Sequence, residues 1–259
     1  MAAGQIRVER RLPRETSVPQ NVAVTQDEID VANPRGYLAV RLRDVIQHRW
    51  PAEVRAIGVH GSLAHGDDTD GSDVNLVVVT YRPNAGPRPA LRRVDGILVD
   101  LTVVTADEGL RRARELTPRW PLIADRYLTT RALADPNGWF AAQRDAHLGR
   151  LAETRPAEFT GLARRNWAIA SAAHARAVRL AEWYETDAAL VLIAEARLHA
   201  AMVAGLLSRT YFRNRADAVK RTGLAGADMQ ELAAVLKSQA EDLTARGKPV
   251  DGPLSALFD

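Results

Sequence analysis

The spacing of hydrophobic positions changes along the chain, and each change predicts a different element. Over residues 36–50 these positions recur three and four residues apart, which predicts an amphipathic helix that Pro51 stops. Three short, β-branched and largely apolar segments follow, at residues 54–59, 74–80 and 97–104. This pattern is typical of strands that are buried on both faces of a sheet.

Helical spacing replaces the strand pattern after Thr105, where we expect the strands to stop. Long alanine-rich segments predict helices over residues 157–184, 187–210 and 228–246. Helices of this kind bury their apolar sides most readily by packing in a bundle. The sequence therefore predicts an α+β fold, with an α/β domain followed by a helical bundle.

The same patterns divide the chain into three regions. Residues 1–34 are polar, contain three prolines and show no sustained periodicity, so they are predicted to form an N-terminal arm. The α/β domain is predicted over residues 35–135 and the helical bundle over residues 136–259. The boundary falls at the turn-forming residues 135–138.

Composition excludes several classes of chemistry and partner. The chain has 259 residues and no cysteine, so thiol nucleophiles, disulfides and thiolate metal sites are excluded. Lys plus Arg is 35 and Asp plus Glu is 32, so the net charge is only +3. The small excess is spread along the chain, and we expect no nucleic-acid partner.

The apolar segments do not predict a membrane protein. The longest one, residues 190–207, is interrupted by Glu195, Arg197 and His199. The N-terminal residues lack the apolar segment that a signal peptide requires. We therefore expect a cytoplasmic protein without a membrane partner.

The candidate chemistry lies around the start of the second predicted strand. The first strand leads into Gly61 and Ser62, a small-residue turn at a helix start whose N–H groups and hydroxyl can hold a phosphate. Asp73 and Asn75 point to one face of the second strand, and Asp100 lies in the next apolar strand, able to face the same cleft. A buried acid is unfavourable unless it is paired or binds a cation, so Asp73 and Asp100 are candidate ligands of a hard cation.

Each of these acids also has a structural explanation. Asp73 can cap a turn together with Ser72, and Asp100 can be a hydrogen-bonded residue of an edge strand. The sequence pattern leaves both explanations open.

Together these residues resemble the signature of the nucleotidyltransferase superfamily. That signature is a Gly-Ser turn, a spacer of about ten residues, an Asp-x-Asp/Glu motif and a third acid on a later strand. The chain is similar in particular to the kanamycin (aminoglycoside) nucleotidyltransferase branch, and the likeness extends to Trp120, Pro121 and Leu122 and to residues 201–211. The resemblance implies a nucleotidyltransferase domain with a mixed sheet, a helical bundle after it, and a homodimer.

The resemblance also implies an activity. Enzymes of this family transfer a nucleoside monophosphate from a nucleoside triphosphate to a hydroxyl of a small-molecule aminoglycoside, and Mg²⁺ neutralises the phosphate charge. By resemblance, Gly61, Ser62 and His65 would hold ATP or another nucleoside triphosphate. Asp73 and Asp100 would bind Mg²⁺ or orient the nucleophile.

Some matched positions in the first domain differ from the family pattern. Asn75 stands where the second acid of the Asp-x-Asp/Glu motif is expected, and a neutral amide attracts a dication much less than a carboxylate does. His65 stands where the family has an arginine, and Leu98 stands where it has a lysine. Metal and phosphate binding are therefore expected to be weaker than in the family.

The second domain differs as well. Where the family has a Glu and a Lys one helical turn apart, this chain has Ala172 and Arg176. The family's proton acceptor is thus missing, and Asp100 could serve as the base instead. His60 and His65 flank the Gly-Ser turn, and either could act as an acid or base near neutral pH.

An acidic cluster of Glu182, Glu185 and Asp187 lies at a junction between two predicted helices. Such a cluster would suit a polycationic substrate, and helix capping explains Asp187 equally well.

Two functions remain open on these grounds. The first is a divergent nucleotidyltransferase with Asp73, Asp100 and His60 as its catalytic residues. The second is a repurposed protein that binds or transforms a small secondary metabolite in the inter-domain cleft without nucleotide or metal. The predicted substrate contacts are Asn75, Arg176 and Glu182.

Overall fold

The computed structural model describes residues 29–252, so residues 1–28 of the predicted arm lie outside the described residues. The predicted first helix is confirmed as α1 (Pro34–Arg49). The side chain of Asn33 begins this helix by accepting a hydrogen bond from the backbone N–H of Arg35. The helix ends with Trp50 as its C-cap, directly before Pro51.

A mixed sheet of five strands contains the three strands that the sequence predicts. These are β1 (Val54–His60), β2 (Val74–Thr80) and β4 (Ile97–Thr105), and β3 (Ala90–Val94) and β5 (Arg131–Ala134) complete the sheet. The strand order is β3-β4-β2-β1-β5. β2 and β4 are parallel, and the other neighbouring pairs are antiparallel.

The expectation that the strands stop after Thr105 is wrong, because β5 pairs with β1 at one edge of the sheet. β3, at the other edge, is not among the predicted strands either. An edge strand has one paired side and a partly exposed surface, so it needs no continuous apolar segment that would reveal it in the sequence. Full burial on both faces holds best for the central strand β2, in which six of seven residues are buried.

Eight further helices are described, and the predicted helical segments are confirmed among them. α2, α3, α4 and α5 lie close to the sheet, and the longest helices, α6 and α7, follow in the C-terminal region. The helices are α2 (Ser62–His65), α3 (Ala106–Ala113), α4 (Trp120–Thr129), α5 (Trp139–Glu153), α6 (Pro156–Glu182), α7 (Thr186–Ser208), α8 (Arg215–Arg221) and α9 (Met229–Ala245).

The alternation of side chains along β2 decides which helices cover each face of the sheet. Leu76 and Val78 face a core that includes Leu38 of α1 and Leu63 of α2. Val77 and Val79 face the opposite core, where Trp139 and Phe140 of α5 pack. α5 is held in this position at its start by Asp135, whose carboxylate accepts hydrogen bonds from the backbone N–H groups of Trp139 (2.8 Å) and Phe140 (2.9 Å).

The C-terminal helices pack through small side chains. Buried alanines of α6 and α7 form much of their shared core, which allows the two helix backbones to approach closely. One described helix, α7, is long and apolar enough to span a membrane by length and composition alone, and its buried face packs against α6. The packed alanines are Ala170, Ala173, Ala177, Ala196 and Ala200.

A buried histidine joins three helices beside the sheet. The indole N–H of Trp120 in α4 donates to Nε2 of His147 in α5 (3.2 Å), and Nδ1 of His147 donates to the carbonyl oxygen of Ala113 at the end of α3 (2.7 Å). Burial lowers the pKa of His147, which keeps the ring neutral and suited to one donor and one acceptor role.

The close approach of α5 to the sheet depends on Gly58 in β1. A Cβ atom at this position would lie 2.6 Å from Cζ of Phe140 and 2.7 Å from Cγ2 of Thr130. We therefore expect Gly58→Ala to lower the free energy of unfolding by roughly 1 to 3 kcal/mol, because overpacking forces neighbours to shift.

Gly149 in α5 is the matched control, because a Cβ there would meet nothing within 4 Å. Gly149→Ala is expected to raise the free energy of unfolding by up to about 1 kcal/mol through helix propensity. Urea denaturation of both variants checks the pair. If both variants change the free energy of unfolding equally and in the same direction, the close packing of α5 against Gly58 does not explain the effect.

Candidate functional site

Three polar side chains form a row across the centre of the sheet. In the antiparallel pairing of β1 and β2, His60 lies opposite Asn75, and in the parallel pairing of β2 and β4, Asn75 lies opposite Asp100. Directly paired residues on neighbouring strands place their side chains on the same face of a sheet. We call these three residues the polar row, and they share a face with Val77 and the core beneath α5.

Asp73 and Gly61 join the polar row at Asn75. The side-chain amide Nδ2 of Asn75 donates a hydrogen bond to Oδ1 of Asp73 at 2.9 Å. A Cβ atom at Gly61 would lie 3.1 Å from that same nitrogen, and Gly61 has φ +78°. Glycine is therefore favoured at position 61 both by its left-handed backbone and by the close approach of Asn75.

Ser62 follows Gly61 and begins the short helix α2. The turn is closed by the backbone N–H of His65, which donates to the carbonyl oxygen of Gly61 at 3.1 Å. The structure thus brings together Gly61, Ser62, Asp73 and Asn75 at the end of β1, beside Asp100 of the polar row.

The segment between the Gly-Ser turn and Asp73 is fastened on one side by α1. Nε of Arg35 donates to the carbonyl oxygen of Ser72 at 2.8 Å, and Nδ2 of Asn33 donates to Oδ2 of Asp68 at 2.6 Å. On the other side Arg213, which precedes α8, forms an ion pair with Asp67. The C-terminal helices therefore contact the same loop that positions Asp73.

The alternative explanation, in which Asp73 caps a turn together with Ser72, holds for Ser72 only. Within the loop, the hydroxyl of Ser72 accepts a hydrogen bond from the backbone N–H of Thr69 at 2.9 Å. The side-chain bond of Asp73 is instead the one from Asn75. Ser72 thus closes the turn, and the Asp73 carboxylate belongs with the polar row.

His60 is neutral at physiological pH. Its pKa is lowered from 6.5 to about 4, mainly by burial and also by the positive charge of Arg126, whereas Asp125 opposes the shift. A neutral imidazole can accept or donate a hydrogen bond, but it supplies no proton from an imidazolium near pH 7. The expectation of a catalytic role for His60 stays a prediction, limited to these neutral roles.

His65 pairs with a carboxylate that the sequence analysis does not identify. Its Nε2 lies 3.0 Å from both carboxylate oxygens of Asp125 in α4, and both side chains are largely buried. This nitrogen is therefore engaged inside the protein, and the predicted contact of His65 with phosphate stays untested. The signal in the sequence is one acid within the largely apolar segment of α4, but its partner lies 60 residues away.

Arg126, also in α4, is a second group that the sequence analysis misses. Burial lowers the pKa of its guanidinium, and the nearby Tyr127 and Asp100 oppose that shift. The same guanidinium lowers the pKa of His60. Arg126 is therefore a cation within electrostatic range of two members of the polar row.

The structure does not bring Arg176 or Glu182 to the polar row within the described chain. Both residues are exposed on α6, as is Ala172, and α6 packs mainly against α7 and α9. His174 lies on another side of α6, where its Nε2 donates to the carbonyl oxygen of Met229 at 2.8 Å. The predicted substrate roles of Arg176 and Glu182 stay predictions.

The pKa of His60 makes stability depend on pH. A histidine with a pKa of about 4 when folded and 6.5 when unfolded stabilises the folded state above pH 6.5, and this contribution is lost as the pH falls towards 4. At pH 5 the loss amounts to about 2 kcal/mol. Between pH 7.5 and pH 5, the wild type should therefore lose about 2 kcal/mol more unfolding free energy than His60→Asn.

Urea denaturation at the two pH values measures this difference. His48→Asn, which replaces an exposed histidine of α1, serves as the control and should follow the wild type. If His60→Asn has the same pH dependence as the wild type, His60 is not a buried neutral group.

Comparisons with known proteins give one structural similarity to report. No protein-family model and no curated protein matches the chain. Among solved structures, a nucleotidyltransferase-like protein from Exiguobacterium sibiricum is similar to it, with 16% sequence identity and a TM-score of 0.42. The alignment covers 81% of this chain and 75% of that one. At this identity and TM-score the similarity assigns neither a family nor a function.

Proposed function

We propose that the protein is a divergent nucleotidyltransferase-fold enzyme that transfers a nucleoside monophosphate from a nucleoside triphosphate to a hydroxyl of a small molecule and releases pyrophosphate. The observation that carries this proposal is the strand register, which sets Asn75 opposite Asp100 and beside both Asp73 and the Gly61 turn. This proximity of residues that lie far apart in the sequence supports the proposal.

The turn and the amide supply the phosphate contacts in this proposal. Gly61 lacks a side chain that would block a phosphate, and the hydroxyl of Ser62 lies next to it at the start of α2. Nδ2 of Asn75 is a hydrogen-bond donor at the same place. Phosphoryl transfer depends mainly on positioning and on neutralising charge, and these groups serve the positioning.

Two carboxylates are too few ligands for a pair of Mg²⁺ ions, so the proposal includes one ion. The carboxylates of Asp73 and Asp100 would hold the ion, whereas Asn75 turns its amide nitrogen, a donor, towards Asp73. In the described residues no group of three or more acids or histidines could hold a metal. When bound, Mg²⁺ would neutralise charge on the phosphate oxygens.

In this proposal Asp100 is the base that accepts the proton of the acceptor hydroxyl. It is a carboxylate at the β4 end of the polar row, on the face that Asn75 shares. His60, at the other end of the polar row, remains neutral and can hold the substrate there by a hydrogen bond.

A second candidate function is binding or conversion of a small molecule without nucleotide or metal. The observation that favours it is the hydrogen bond from Asn75 to Asp73, which satisfies one carboxylate oxygen internally where an ion would otherwise bind. In this case Asp100 and His60 would be direct contacts of that molecule.

Titration calorimetry with ATP, with and without Mg²⁺, separates the two candidates. The transferase predicts that the wild type binds ATP in a Mg²⁺-dependent manner and that Asp73→Asn weakens binding at least tenfold. Asn75→Asp, which restores the second acid, should tighten Mg²⁺-dependent binding at least tenfold, because an added charge close to a dication is strongly attractive.

Asp95→Asn is the matched control for these variants. Asp95 is exposed in the turn between β3 and β4 at φ +50°, a conformation that Asn tolerates, and its substitution changes the charge equally. This variant should bind as the wild type does. If neither the wild type nor Asn75→Asp binds ATP at millimolar concentration, the transferase proposal fails and the second candidate takes its place.

A further inference from the structure

A pocket adjoins the polar row on the same face of the sheet. Its floor includes Val77 of β2 and Val104 of β4, and its polar lining includes Arg112, Arg126, Tyr127 and Gln143 from α3, α4 and α5. Val77 lies two residues beyond Asn75 along β2, which corresponds to about 7 Å. A molecule whose hydroxyl lies at Asp100 can therefore extend into this pocket.

The pocket carries an excess of positive charge. In the part of the chain that the structure describes, Arg126 makes no ion pair within 4.0 Å. Arg112 pairs with Glu108 at 2.6 Å, and Glu108 also pairs with Arg111, which has Glu115 as a second partner. Two cations thus line one pocket, and in the described chain an ion pair balances Arg112 but not Arg126.

A partly buried guanidinium without an ion-pair partner is unfavourable unless it has another use. The pKa of Arg126 shows the same imbalance, because burial and Arg112 both lower it and only Tyr127 and Asp100 oppose them. The planar guanidinium matches the two oxygens of a carboxylate or phosphate. These contacts indicate a pocket suited to an oxyanion.

We propose that Arg126 and Arg112 form a subsite for a carboxylate or phosphate group of the small molecule that receives the nucleotide. The inference rests on the proposed transferase function for the identity of that molecule, whereas the subsite itself rests on the pocket. The acceptor is then an anionic molecule, in contrast to the polycationic aminoglycosides that the sequence resemblance implies.

Calorimetry with inorganic phosphate and with malonate, at low salt and without Mg²⁺ or nucleotide, tests the subsite. The wild type should bind at least one of these anions, and Arg126→Gln should weaken that binding at least tenfold. Arg126→Lys keeps the charge but loses the planar guanidinium group. It should therefore weaken anion binding less than Arg126→Gln does. Failure of the wild type to bind either anion would overturn the proposal.

Arg114→Gln is the matched control, since Arg114 is exposed at the end of α3 and its loss changes the net charge equally. Its anion binding should stay within about twofold of the wild type. Equal weakening in Arg114→Gln and Arg126→Gln would show a general charge effect and overturn the subsite.

Melting temperatures distinguish a binding role of Arg126 from a structural one. Phosphate or malonate should raise the melting temperature of the wild type more than that of Arg126→Gln, because specific binding adds to the general stabilisation by excluded salts that both proteins share. Without anions, Arg126→Gln should melt no lower than the wild type, since it removes an unpaired cation. A large drop that anions do not affect would assign Arg126 a purely structural role.

A final arm adds saturating ATP and Mg²⁺ before the anion titration. Anion binding that persists supports the acceptor as the source of the oxyanion. Competition would assign the pocket to the phosphates of the nucleotide and overturn the acceptor assignment. If ATP does not bind at all but the anions bind through Arg126, the subsite stands and the transferase proposal alone fails.

Discussion

The parallel pairing of β2 with β4 is the constraint on which the rest of the molecule depends. β2 lies at the centre of the sheet with six of its seven residues buried, so its alternation fixes which helices cover each face. The register of β2 with β4 sets Asn75 opposite Asp100, and the register of β2 with β1 sets Asn75 opposite His60. A slip by one residue would move Asn75 into the core beneath α1 and would bring a valine or leucine to the site.

The charges around the polar row differ from those of a site built for two metal ions. Asn75 is neutral, and His60 is uncharged because it is buried. The Asp125 carboxylate is hydrogen-bonded to His65. Asp73 and Asp100 are the remaining acids of the cluster, and Arg126 offsets part of the negative charge of Asp100. Such a balance favours one ion at most, and it favours an anionic group in the adjoining pocket more than a polycation.

The sequence predicts those features that depend on local periodicity. β1, β2, β4 and the long helices have strong apolar patterns, and alternation predicts that Asp73 and Asn75 point to one face. The position of Asp100 directly opposite Asn75 comes from the strand register. The edge strands β3 and β5 are not predicted, because a strand that pairs on one side only does not need a continuous apolar segment. The roles of Asp125 and Arg126 are not predicted, because their partners lie far away in the chain. Only the folded arrangement of α4 against the sheet shows these roles.

The most direct test of the account is an NMR titration of isotopically labelled protein with ATP and Mg²⁺. The account predicts that the side-chain amide of Asn75 and the backbone amide of Gly61 show the largest shift changes, because both lie where the phosphates are proposed to bind. Shift changes confined to α6 and α7, or none at these two amides at saturating ATP, would contradict the assignment of the polar row as the functional centre.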